Sequence, residues 1–182
     1  MTASYAKDFH EIPESLTNNS SLKRKALDLV QSEPIAGKVT IGGSRLDDFR
    51  EILIDFFDLQ IDLDAAIAET EHRLPRQHSM FSGDNRVFAS GWAERLVRTQ
   101  VSRFYNQAVL ETIIESGSDD CFVDHSSSEQ ASSKCSQQLA GANHSASVML
   151  ERIKSSYGDG EWNNERKLPD HPHCTHTFSP VP

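Results

Sequence analysis

No run of eighteen apolar residues occurs in this chain of 182, which excludes a membrane-spanning helix. Basic residues are scarce too: 18 Lys and Arg stand against 27 Asp and Glu, a formal net charge of −9. Neutralising phosphates needs a basic surface, so coating nucleic acid is not the expected task, although a local basic patch is compatible with this balance. The three cysteines, Cys121, Cys135 and Cys174, are too few and too odd in number for a disulfide framework. Free or metal-bound thiols in a reducing compartment fit better. Gly42-Gly43 lacks the following Lys-Ser/Thr of a phosphate loop. The first twenty residues carry Asp8, Glu11 and Glu14 and no apolar core, so they do not read as a signal peptide.

What is present points to one domain of α+β class, mainly α. Two long amphipathic helices are followed by a small β-containing, Cys/His-rich C-terminal module. Residues 1–20 mix Pro, Ser, Asn and charge without period and read as a loose arm. A short helix is expected at Leu22–Gln31, with Leu22, Ala26, Leu29 and Val30 on one side. The arm and this helix form a first segment, residues 1–43. From Ser44, a plausible N-cap, the residues Leu46, Phe49, Ile52, Leu53, Phe56, Leu59, Leu63 and Ile67 recur at helical spacing. Asp55, Asp58, Asp62 and Asp64 fall between them and read as a solvated face rather than a metal site. That helix and the loop after it make a second segment, residues 44–85.

The third segment, residues 86–182, opens with a long helix from Val87 to Ser116. Phe88, Trp92, Leu96, Val101, Phe104, Ala108 and Ile113 form its stripe, and Gly117 ends it. Arg86, Arg95, Arg98 and Arg103 do not share one face of it, which argues for contacts with acidic neighbours or a partner protein rather than nucleic acid. Cys121-Phe122-Val123 reads as a strand, "HSSSEQASSKCSQQ" as a Ser-rich loop, Ser147–Ser156 as a short helix and Phe178–Val181 as a terminal strand.

The tail, "KLPDHPHCTHTFSPVP", holds the chemistry. Thiolate beside imidazole suits zinc better than calcium or magnesium. Cys174 and His176 are two apart, so an extended chain points both to one side. His171 precedes them across Pro172, and Cys135 is the nearest other thiol, with His125 and His144 in reserve. The candidate ligand set is therefore Cys135, His171, Cys174 and His176. A hydrolytic centre would further need an open coordination position and a base, for which Asp170 is available but not singled out.

Three stretches together resemble the phage head-morphogenesis (minor head) proteins of the Mu F type. "LVRTQVSRFYNQAV" is similar to the helix with Arg-Thr-Glu followed by Asn-x-Ala: Arg98, Thr99, Asn106 and Ala108 match, and Gln100 replaces the acid. "CFVDHSSSEQASSKCSQQLAG" keeps the order of strand, Asp124, a cysteine and Leu139-x-Gly141. The family's paired cysteines would fall at Ser133 and Ser136, so Cys135 is only approximately placed. "HPHCTHTFSPV" is similar to the family's closing His-Pro-x-Cys-Arg-Cys: His171, Pro172 and Cys174 match, and His176 stands at the last cysteine. The resemblance covers Leu96 to Val181. It implies a non-enzymatic structural protein of the virion head or portal vertex, made in the host cytoplasm. Its partners would be the portal or other capsid proteins, and its role procapsid assembly or genome delivery. The alternative is a small zinc-dependent nuclease or hydrolase built on the tail cluster.

Overall fold

The computed structural model describes residues 4–182. It is mainly helical with one small antiparallel sheet, as the patterning predicts. Seven α-helices are present among the described residues: α1 (Ile12–Asn18), α2 (Ser20–Ser32), α3 (Arg45–Phe57), α4 (Leu63–Arg73), α5 (Trp92–Glu115), α6 (Lys134–Leu139) and α7 (Ala146–Ile153). The three strands are β1 (Asp120–Val123), β2 (Ala142–Ser145) and β3 (Phe178–Pro180), in the order β2-β1-β3. Cys121 pairs with His144 on one side and with Pro180 on the other. No described helix is long and apolar enough to cross a membrane.

The helix α5 is the axis of the molecule. Its 24 residues span about 36 Å. Every residue from Gln100 to Leu110 is buried, because α2, α4, α7 and β3 all pack on it. A single apolar stripe therefore understates it: this stretch is covered on all sides. Gly91 begins the helix at φ 75° and Gly117 follows its end at φ 88°, left-handed conformations that favour glycine.

The helical run read from Ser44 is divided. Leu59 turns left-handed at φ 64°, and Asp62 starts a new helix by accepting the Ala65 N–H at 2.8 Å. The two halves, α3 and α4, fold back on each other. Ser44 precedes α3, but its hydroxyl donates to Asp48 Oδ2 at 2.8 Å instead of capping a backbone amide. Asp55, Asp62 and Asp64 are exposed and Asp58 is half-buried, so the acidic face is solvated as read.

The loose arm expected at the start requires correction. Its first three residues lie outside those described, but Ala6, Phe9, Ile12 and Leu16 are buried in the same core as α5. Tyr105 Oη accepts the Ala6 N–H at 2.7 Å and lies 2.9 Å from Ser15 Oγ. The segment also runs beside the tail: Phe9 N–H donates to Thr175 O at 2.8 Å, and Thr177 Oγ1 donates to Ala6 O at 2.7 Å. One core cluster thus includes residues from all three segments of the chain.

Candidate metal centre

Three separate pieces of chain deliver the site. The Ser-rich loop after β1 is more ordered than its composition predicts. Ser133 caps the short α6 by accepting the Ser136 N–H at 3.2 Å, which buries Cys135 in the first turn. Beyond the turn at His171, where Cys174 N–H donates to His171 O at 3.0 Å, the tail is extended up to β3. Cys174 and His176 therefore face the same way, as their spacing predicts. Asn106 on α5 fixes this extended piece, its Oδ1 accepting the Phe178 N–H at 2.8 Å and its Nδ2 donating to Ser102 O at 2.9 Å.

The structure brings together all four expected residues and adds a fifth, Glu129. Donor atoms of Glu129, Cys135, Cys174 and His176 all lie within 4.8 Å of one another. Cys174 Sγ is 4.0 Å from Cys135 Sγ and 3.9 Å from His176 Nδ1. His171 Nε2 lies 3.7 Å from Cys135 Sγ and 2.7 Å from Glu129 Oε1. The other carboxylate oxygen, Oε2, is 3.1 Å from His176 Nδ1 and accepts from Thr175 N at 2.9 Å. His176 turns its second nitrogen, Nε2, to Ser136 Oγ at 3.3 Å, the outer hydrogen bond that fixes a ligating imidazole.

Burial and charge bias these groups strongly. The Cys135 thiol is pushed down, first by the Cys174 thiol donating to it and then, against burial, by His171 and His176. Cys174 is pushed up as the donor of that pair, and burial adds to the shift. The bond to Cys135 raises His171 to about 9, with Glu129 assisting. Burial works against His176, yet Cys135 and Glu129 raise it. A divalent cation replaces the protons of thiols and imidazoles grouped in this way directly.

A zinc tetrahedron has ligand separations of about 3.8 Å between two sulfurs and about 3.6 Å between sulfur and nitrogen. The Cys135–Cys174 and Cys174–His176 separations lie close to both, and the S/N/O donor chemistry fits that ion. The cluster could hold a metal ion.

Neither histidine held in reserve joins the cluster, nor does the third cysteine. Cys121 is buried and donates to His144 O at 3.3 Å, His144 Nε2 lies 2.9 Å from Leu139 O, and His125 packs on Gly141. Asp170, considered as a base, instead accepts from Arg166 Nη1 at 2.7 Å. Among the arginines of the long helix, Arg98 lies over the Phe9 ring at 4.6 Å and Arg103 is wholly buried. Glu129 was legible only as the single acid between Asp124 and Lys134 in a serine-rich run.

Compared with protein-family models, with curated proteins and with solved structures, the chain matches none.

Proposed function

We propose that the chain is a structural protein whose C-terminal module is closed by a zinc clasp, and that it serves as a minor head protein of a tailed phage. The observation that carries this reading is the meeting of the three resembling stretches at one point. Asn106 of the helix motif holds Phe178 of the tail motif, and Cys135 of the strand-and-loop motif meets Cys174 and His176. The surface role is docking: a portal or capsid neighbour is the partner, and the acidic balance favours protein over DNA as the thing touched.

The donor set also favours a second reading, because two thiolates and one imidazole, with water in the fourth position, occur in catalytic zinc centres. That reading needs an open ligand position facing a cavity. Here the sulfurs and His176 are buried, and a groove of about 480 Å³ is lined elsewhere, by Ile114, Leu150, Lys154 and Asp159 among others. Burial of this kind supports a clasp over a hydrolytic centre.

Copurification tests the leading reading. The chain should be found in purified virions and be captured by coexpressed portal protein. Its absence from virions, together with zinc-dependent hydrolysis of nucleic acid or peptide lost in Cys174→Ala, would replace the leading reading by the second.

A further inference from the structure

Five donors converge where a tetrahedral ion takes four. Resting on the zinc reading above, we infer that Glu129 is the fourth ligand beside Cys135, Cys174 and His176, and that His171 is an outer partner which orients Glu129.

Distance decides between the two candidates. Two nitrogen or oxygen ligands of one zinc stand about 3.3 Å apart. His171 Nε2 and Glu129 Oε1 are 2.7 Å apart, which is hydrogen-bond separation. His171 Nε2 also lies 3.7 Å from Cys135 Sγ, so the choice rests on which donor reaches all the others. The four-donor set that closes within 4.8 Å contains Glu129 and omits His171.

Anchoring points the same way. The Glu129 side chain is 7% exposed, whereas that of His171 is 41% exposed. Glu129 Oε2 takes the Thr175 N–H at 2.9 Å and the Thr175 hydroxyl at 3.2 Å. Thr175 lies between the two tail ligands, Cys174 and His176, so the carboxylate is indexed to them by the intervening residue. Both oxygens meet proposed ligands: Oε2 lies 3.1 Å from His176 Nδ1, and Oε1 lies 2.9 Å from Cys135 Sγ while also bonding to His171. An imidazole bonded to a ligating carboxylate holds that carboxylate in place, as outer-shell partners do.

Zinc K-edge absorption on the full chain loaded with one equivalent of zinc tests the assignment, because imidazole rings give a distinctive outer-shell scattering pattern. One imidazole and two sulfurs per zinc are expected; two imidazoles would overturn the assignment while leaving the zinc clasp standing. In competition with a chromophoric chelator, His171→Ala should keep one zinc per chain at about 10- to 100-fold lower affinity. Glu129→Gln should lose more affinity than His171→Ala. The reverse order overturns the inference. A wild-type chain that takes up no zinc overturns both the inference and the clasp, and so is distinguishable from the other failures.

Discussion

Arg103 and Glu129 are both charged groups taken out of water, one in the helical body and one in the C-terminal module, and their surroundings differ in kind. Arg103 is met by neutral acceptors: Pro34 O at 2.8 Å, Gln100 Oε1 at 3.3 Å and Gln107 Oε1 at 3.4 Å, while Nη2 has no partner among the described residues. Burial pushes its guanidinium down to about 10, which still leaves it charged at neutral pH. Glu129 is met by groups that can each gain or lose a proton, Cys135, His171 and His176. A charge held by carbonyls and amides has one protonation pattern and acts as a fixed tie between α5 and the chain at Pro34. A charge held by thiols and imidazoles has several, and an ion can exchange with protons there. The difference separates a structural polar contact from a candidate ligand set better than burial does.

Removing a sulfur should break the comparison most severely. Cys174→Ala should abolish zinc retention and lower unfolding free energy by about 3–5 kcal/mol, read by elemental analysis and denaturant melts. High pH acts on both regions at once. Burial raises Tyr105 in the helical body to about 12 and Cys121 in the module to about 12. Both folded values lie above the ordinary ones, so each group's contribution is complete below its unfolded value, about 9 for the thiol and about 10 for the phenol. It is lost as pH rises towards 12. Urea midpoints should therefore fall steadily as pH rises above about 9; a profile that stayed flat from there to pH 12 would contradict the burial of these two groups.

Smaller changes sharpen the contrast. Arg103→Ala should cost about 2–4 kcal/mol through lost packing and unpaired acceptors, with zinc stoichiometry unchanged. If that variant lost its zinc, the two regions would not be separable as described. Asn106→Ala strips the Phe178 N–H of its acceptor and should cost about 1–3 kcal/mol, with faster amide exchange at β3. Asp62→Ala removes one cap and should cost about 1 kcal/mol, detectable only as a modest shift in melting temperature.

Much of the fold was readable because helical spacing reports burial. Leu22, Ala26, Leu29 and Val30 are all buried where their pattern put them, and β1 lies where Cys121-Phe122-Val123 was read. The N-terminal segment was misread from its polar composition, although Ala6, Phe9, Ile12 and Leu16 recur at spacings of three and four. The break at Leu59 was hidden because apolar residues continue at helical spacing across it. Strand β2, Ala-Asn-His-Ser, carries no β-forming signature and exists through its pairing with β1. At the metal centre the tail ligands were legible from the two-residue spacing of Cys174 and His176. Glu129 was not, since what selects it is a tertiary contact with Thr175 across 46 positions.

The lacing of Phe9 to Thr175 and of Ala6 to Thr177 closes a loop of more than 160 residues. Such a closure is entropically expensive for an open chain and slow to find. During synthesis the first strip of the core, from Ala6 to Leu16, has no complete seat until the tail has been made. The expected order is that the helices gather early and the two distant edges join last, with the clasp that could bind an ion beside the seam.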